Sequence, residues 1–69
     1  MPCNIKKTLM NIRLRRETLN YTQSFMAKKL KLTPNAYSKI ESGVTQMTLQ
    51  RLGEIADILL TLPTALLEN

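Results

Sequence analysis

Apolar residues recur along the chain at the three- and four-residue spacing of amphipathic helices, in segments that turn residues separate. The two longest apolar stripes lie near the start and in the second half: Ile5, Leu9 and Ile12 form one, and Leu49, Leu52, Ile55, Ala56 and Leu59 form the other. Between them, Met26 and Leu30 share one helical face, and Tyr37 and Ile40 share another. No window alternates polar and apolar residues as a strand does. The pattern predicts an all-α protein.

Residues that cap helices mark where the predicted helices begin. Four such side chains precede the apolar segments: Asn4, Thr22, Thr33 and Thr48. Pro34 and Pro63 suit the first position of a helix, because the N–H that proline lacks has no partner there in any case. Asn20 and Gly43 tolerate the left-handed backbone that ends many helices, and they follow the first and third segments. The sequence therefore predicts five short helices, the last beginning near Pro63.

The segment from 22 to 43 contains an abrupt corner, because the sequence KLTP interrupts two short helical patterns. A second helix packed behind a projecting third helix is the arrangement of a helix-turn-helix. The outward side of the predicted third helix carries Asn35, Ser38, Lys39 and Ser42. All four can donate hydrogen bonds and none is acidic, so this face suits phosphate oxygens and the edges of purines.

One charged residue falls on an apolar stripe. Arg16 continues the stripe of Ile5, Leu9 and Ile12, and Glu41 lies one turn beyond Tyr37 on the inward side of the third helix. An unpaired buried charge costs several kcal/mol, so each residue needs a partner. The sequence predicts an Arg16–Glu41 ion pair that joins the first and third helices. The alternative is that both side chains extend to solvent.

The net charge of +5 is unevenly distributed. Residues 1–40 hold nine Lys or Arg and one Glu, a net charge of +8, whereas residues 41–69 carry a net charge of −3. This asymmetry indicates a basic face presented to a polyanion, the alternative being a solvated surface that happens to be basic.

Composition narrows the class of protein. A chain of 69 residues has room for one domain, residues 1–69. It has no His, no carboxylate cluster and a single cysteine, Cys3, so we expect no enzyme, no metal site, no cofactor and no internal disulfide. No apolar run approaches the roughly 18 residues of a membrane span, and MPCNIKK lacks the apolar core of a signal peptide. We expect a cytoplasmic protein without a membrane association.

The order and spacing of several motifs resemble the small bacterial and phage helix-turn-helix regulators of the Cro/C1-repressor (XRE) type. The motifs are Arg16, NYTQ at 20–23, Met26-Ala27, Leu30, AYSKIESG at 36–43 and TLQRLGEIADIL at 48–59. The resemblance covers about Ile12 to Leu67. It implies a compact five-helix lambda-repressor-like domain, with its helix-turn-helix at about 22–42, that binds double-stranded operator DNA as a homodimer.

The resemblance also implies roles for individual residues. With the third helix in the major groove, the side chains that face bases are Asn35, Ser38 and Lys39. Those that meet the phosphate backbone are Gln23, Lys31, Ser42, Thr45 and Gln46. The ion pair that such regulators conserve falls on Arg16 and Glu41. Two departures are Lys31, where the turn commonly has glycine, and Pro34, where many relatives place a side chain that reads DNA.

The same resemblance places the two-fold contact of a dimer near the start of the last helix. Ile58 lies nearly opposite the centre of the apolar stripe on the predicted fourth helix. Leu62 follows it by four residues, and Pro63 is next. We expect these three residues to form one exposed apolar patch. A palindromic operator with half-sites one turn of DNA apart follows from such a dimer.

Two hypotheses for function remain. The first is a sequence-specific transcriptional regulator, most simply a repressor. The second is an antitoxin or adaptor that uses the fold mainly to bind a toxin or another protein, with DNA binding secondary. The basic half and the acid-free third helix favour the first. We expect no sensor domain, and hence no small-molecule effector.

Overall fold

The computed structural model describes residues 4–68, and these residues form five helices and no strand. The helices are α1 (Ile5–Thr18), α2 (Gln23–Lys29), α3 (Pro34–Glu41), α4 (Leu49–Ile58) and α5 (Pro63–Leu66). The predicted all-α fold with five helices is confirmed. Cys3, expected to form no internal disulfide, lies outside the described residues.

The N-termini of the first four helices are capped as predicted. The side-chain oxygens of Asn4, Thr22, Thr33 and Thr48 accept hydrogen bonds from the backbone N–H groups three residues further on, at 3.0–3.2 Å. Each cap satisfies one N–H that a helix start would otherwise leave without a partner. The fifth helix is the exception, because Leu62 stands at its cap position and makes no side-chain hydrogen bond.

Four helices end on a residue with a left-handed backbone. Asn20 (φ 61°) and Gly43 (φ 87°) were predicted in this role, whereas Lys31 (φ 61°) and Leu60 (φ 58°) occupy positions that glycine usually fills. Behind α2, the N–H of Leu32 donates to the carbonyl of Ala27 at 2.8 Å and so closes the turn. Left-handed backbone costs a residue with a side chain roughly 1–2 kcal/mol, so Lys31 and Leu60 store strain.

The core draws side chains from all five helices. Its buried members are Ile12, Met26, Ala27, Tyr37, Ile40, Leu52, Ile55, Ala56, Leu59 and Leu66. Of the predicted stripe residues, Leu9 and Leu30 are only partly buried against this core. Ile5 and Leu49 lie outside it, since Ile5 is 53% exposed and Leu49 is 84% exposed. Both stand at the first position of a helix, where no neighbouring element lies opposite the side chain. The helical period gives the correct direction for both side chains, but at the N-terminal ends of α1 and α4 this direction leads to solvent.

Two polar side chains of α1 form hydrogen bonds to backbone carbonyls in the C-terminal part of the chain. The Nδ2 of Asn11 donates to the carbonyl of Leu66 at 3.0 Å. One turn further on, the Nε of Arg15 donates to the carbonyl of Leu59 at 2.9 Å, and its Nη2 to that of Leu60 at 3.2 Å. These bonds satisfy carbonyls at the ends of α4 and α5 that no helical N–H reaches. The short α5 therefore depends on α1 for its position.

Candidate nucleic-acid interface

The outward face of α3 carries the polar residues predicted to contact bases. Tyr37, Ile40 and Glu41 are buried and hold the helix against α1 and α2. On the other side, Asn35 and Lys39 are exposed and Ser38 is half-buried. The face is free of acids because Glu41, the sole acid of α3, points into the protein. It presents hydrogen-bond donors and one positive charge to solvent.

The residues predicted to contact phosphate separate into two groups. Ser42, Thr45 and Gln46 continue the α3 face into the loop before α4, where all three are exposed. Gln23 begins α2 and shares a cleft with Ser42. Lys31 stands apart from them. It lines a different groove of about 330 Å³, between α2 and α4, with Lys29, Leu30, Glu54, Asp57 and Ile58.

Arg16 and Glu41 form a buried bidentate ion pair. The Nε of Arg16 lies 2.9 Å from Oε2 of Glu41, and its Nη2 lies 2.8 Å from Oε1. The side chains are 11% and 5% exposed. The remaining nitrogen, Nη1, donates to the carbonyl of Tyr21 at 2.9 Å. The guanidinium thus connects α1, α3 and the turn between α1 and α2. The alternative, in which both side chains extend to solvent, is wrong.

The environment of the pair shifts the pKa of each member. Burial acts to raise the pKa of Glu41, but the hydrogen bonds and charge of Arg16 outweigh it, so the pKa of Glu41 lies below its ordinary value. The hydrogen bond to Glu41 raises the pKa of Arg16. Burial, reinforced by the nearby Glu41, raises the pKa of Tyr37. Among residues 4–68, the Tyr37 hydroxyl is the buried side-chain polar group whose geometry meets no hydrogen-bond partner.

Gln23 lies beside this pair rather than extending freely into solvent. Its Nε2 donates to Oε1 of Glu41 at 3.4 Å, which is a long hydrogen bond. Because the amide nitrogen carries two protons, the contact leaves one N–H free for another acceptor. Glu41 therefore orients a side chain predicted to bind phosphate.

A cleft of about 230 Å³ opens beside the α3 face, and we call it the α1–α3 cleft. Its lining residues are Arg13, Arg16, Glu17, Gln23, Ser38, Glu41 and Ser42. Sequence reasoning identified five of these and missed Arg13 and Glu17, which pair with each other at 3.2 Å. The spacing of Arg13 and Arg16 could have indicated this, because residues one helical turn apart project from the same side of α1.

The predicted dimer patch needs a correction. Ile58 is half-buried and packs against the core, so the expectation that it is exposed is wrong. The helical period directs Ile58 away from the stripe of α4, but Leu30, the residue that follows α2, lines the same groove. Leu62 and Pro63 are exposed. Leu60, which sequence reasoning did not single out, is 69% exposed, the same fraction as Leu62.

Two further findings concern the described residues. No helix within 4–68 combines the length and the apolar character needed to cross a membrane. No three His, Cys, Asp or Glu side chains in this part of the chain lie close enough together to hold a metal ion.

Comparison with solved structures finds the fold as part of larger proteins. Hydroxypropylphosphonic acid epoxidase from S. wedmorenis is 30% identical, with a TM-score of 0.80 over 91% of this chain and 34% of that chain. FeII HppE in complex with substrate gives the same identity and TM-score over 91% of this chain and 37% of that chain. The chain thus spans about a third of the length of these structures. No curated protein sequence matches it.

Comparison with protein families matches residues 12–65 to the helix-turn-helix family HTH_3. The match contains the α2–α3 corner, the buried pair of Arg16 and Glu41, and the polar face of α3. It covers well over half of the chain. The chain belongs to the Cro/C1-type helix-turn-helix family of DNA-binding regulators.

Proposed function

We propose that this protein is a sequence-specific transcriptional repressor that binds a palindromic operator as a homodimer, with α3 in the major groove. The observation that carries the proposal is the orientation of α3. Its one acid, Glu41, is buried against Arg16, and the opposite face presents Asn35, Ser38 and Lys39. A helix that turns its only negative charge inward leaves nothing on its outer face to repel DNA.

Base recognition falls to the centre of this face. The Asn35 amide can both donate to and accept from an adenine edge, and the Lys39 ammonium can donate to O6 and N7 of guanine. Ser38, which is half-buried and has a shorter side chain, can bond to either adenine or guanine. The sequence information thus comes from three side chains on one face of α3, Asn35 on one turn and Ser38 and Lys39 on the next.

Phosphate contacts on both sides of α3 fix its register in the groove. Thr45 and Gln46 follow the helix, and Gln23 lies beside it at the start of α2. Lys31, in the turn before α3, supplies an exposed cation at the other end of the helix. Such contacts orient a protein on DNA without reading its sequence.

The dimer contact falls on the corner between α4 and α5. Leu60 and Leu62 are both 69% exposed, and the stretch 58–67 has no charged residue. Two copies of a protein with a net charge of +5 repel each other, so an uncharged surface suits their contact best. Pro63, at the start of α5, completes this patch. A two-fold axis there directs both α3 helices to one side of the DNA, with half-sites about 34 Å apart.

A binding-site selection from random DNA tests this function. We expect a palindromic consensus, bound far more tightly than random duplex or an isolated half-site. A dimer with about 6–8 phosphate contacts gives a plot of log K against log salt with a slope near −5 to −7. A promoter overlapping the selected site should lose activity when the protein is supplied. If the selected site is bound no better than random duplex, the proposed function is wrong.

The proposed function is binding and uses no catalytic group or cofactor. It operates where the operator lies, in the cytoplasm. The double-stranded DNA and a second copy of the chain are its partners.

A further inference from the structure

The α1–α3 cleft holds two arginines in different electrostatic situations. Arg16 is held at 2.8–3.2 Å by both oxygens of Glu41 and is neutralised by them. Arg13, at the rim, makes one 3.2 Å bond through its Nε to Glu17, and the two side chains are 65% and 49% exposed. Arg13 is therefore the cation of the cleft that is available to another anion.

The contact between Arg13 and Glu17 is easily exchanged. Exposed ion pairs one turn apart on a helix contribute little, and the order Arg before Glu is the less favourable one. The contact uses one of the five N–H donors of the guanidinium. Both Nη groups remain free to bind an anion as a fork, the geometry with which arginine binds phosphate.

Hydrogen-bond donors converge on the same cleft from the other two helices. Gln23, on α2, holds Glu41 by a long 3.4 Å bond and retains a free amide proton. Ser38, on α3, lines the cleft on the side next to the face that reads bases. A cation and two neutral donors from three helices surround a space that opens beside the recognition helix.

Of the two acids that line this cleft, Glu17 is unusual in its position. Glu17 is the single acid among residues 1–40, in a segment with nine Lys or Arg. Its carboxylate holds the one available arginine of the cleft. A carboxylate here repels an approaching phosphate and competes with it for Arg13, so its presence opposes DNA binding.

We propose, on the basis of the DNA-binding function proposed above, that the α1–α3 cleft binds one backbone phosphate beside each half-site and that Arg13 is its cationic ligand. In the free protein the Glu17 carboxylate is paired with the Arg13 guanidinium. On DNA a phosphodiester oxygen replaces the carboxylate, while Gln23 donates to the same phosphate and Ser38 stays available to a base. Glu17 thus lowers the affinity for all DNA sequences alike.

Charge-neutralising variants test this exchange, measured by titration against the selected operator and against random duplex. Arg13→Gln should weaken binding to both by about tenfold and make the salt slope of the dimer shallower by about 2, one phosphate for each copy. Glu17→Gln should strengthen binding to both DNAs several-fold. The ratio of operator to random affinity should stay unchanged in both variants, because a phosphate contact reads no sequence.

The arginine–glutamate pair of α4 supplies matched controls. Arg51 and Glu54, on α4, lie 3.0 Å apart and outside the cleft. Arg51→Gln and Glu54→Gln make the same changes in net charge, so they measure the general electrostatic effect. If Arg13→Gln and Arg51→Gln weakened DNA binding equally, Arg13 would not be a ligand of the phosphate. Weaker binding by Glu17→Gln would overturn the exchange, because the carboxylate would then support the contact.

A scan of the operator with single neutral methylphosphonates locates the phosphate. At one position in each half-site, neutralisation should weaken binding of the wild type clearly more than binding of Arg13→Gln, as a double-mutant cycle detects. If every position affects both proteins equally, Arg13 contacts no phosphate. That result leaves the proposed function intact when the operator is still preferred over random duplex. Loss of that preference in the wild type contradicts the proposed function itself.

Discussion

The guanidinium of Arg16 reaches from α1 to Glu41 at the last turn of α3, and its Nε and Nη2 donate to both carboxylate oxygens at 2.8–3.2 Å. The same side chain donates to the carbonyl of Tyr21 in the turn before α2. One residue therefore fixes α1, the α1–α2 turn and α3 relative to each other. The orientation of the recognition helix depends on this pair.

Loss of one member of the pair should be far more damaging than loss of both. Arg16→Ala leaves the Glu41 carboxylate buried and unpaired, which should lower the free energy of unfolding by about 3–5 kcal/mol. The double variant Arg16→Met with Glu41→Leu replaces the pair with apolar side chains and should be much milder. Urea denaturation measures both. Equal, small losses for the single and double variants would show that the pair is effectively solvated.

The lowered pKa of Glu41 predicts an acid-dependent stability. Its carboxylate is favoured in the folded state, so its stabilisation is fully present above the unfolded pKa of about 4.3 and is lost as the pH falls through the folded pKa. Glu41→Gln removes this titration. The difference in unfolding free energy between wild type and Glu41→Gln should therefore be constant near neutral pH and shrink below about pH 4.3. A difference that stays constant down to pH 2 would contradict the ion pair.

Lys31 should be replaceable by glycine with a gain in stability. Its φ of 61° is strained for lysine and free for glycine, so Lys31→Gly should raise the free energy of unfolding by about 0.5–1 kcal/mol. Lys28→Gly, inside α2, is the control and should lower it by about 1 kcal/mol. If Lys31 also contacts phosphate, the same variant should bind all DNA more weakly. A destabilised Lys31→Gly would mean that the side chain supports the turn.

Base and phosphate contacts should separate in mutant binding data. Asn35→Ala and Lys39→Ala should relax the preference at one or two base pairs each, at about 1–3 kcal/mol. Thr45→Val should weaken binding to operator and random duplex alike, because it removes a donor beside the helix rather than on it. Repeating the selection with each variant measures this. An unchanged consensus for Asn35→Ala and Lys39→Ala would place base recognition elsewhere.

The dimer contact should respond to charge at the α4–α5 corner. Leu60→Glu and Leu62→Glu should prevent association, because each places a charge in an apolar contact between copies. Met10→Glu is the matched control, since Met10 is 54% exposed and lies on the outer side of α1. Sedimentation with and without operator measures the outcome. If both leucine variants still bind the palindrome as tight dimers, the interface lies elsewhere.

The sequence by itself determined the local structure of this protein. Four of the five helix starts follow from capping side chains that bond to backbone three residues away, and the α2–α3 corner follows from Thr33 and Pro34. The pairing of Arg16 with Glu41 was predictable because a charge on an apolar face requires a partner. These features rest on contacts within one turn or on a strong energetic requirement.

The tertiary structure decided which apolar and charged residues face solvent. Periodicity assigns Ile5 and Leu49 to a core, yet both are exposed, and it assigns Ile58 to the surface, where it is half-buried against the core. The left-handed backbone of Leu60 and the position of Arg13 in the cleft likewise depend on how separate helices meet. A helical period specifies direction around one helix axis. Burial depends on what stands opposite, and that is fixed only when all five helices have packed.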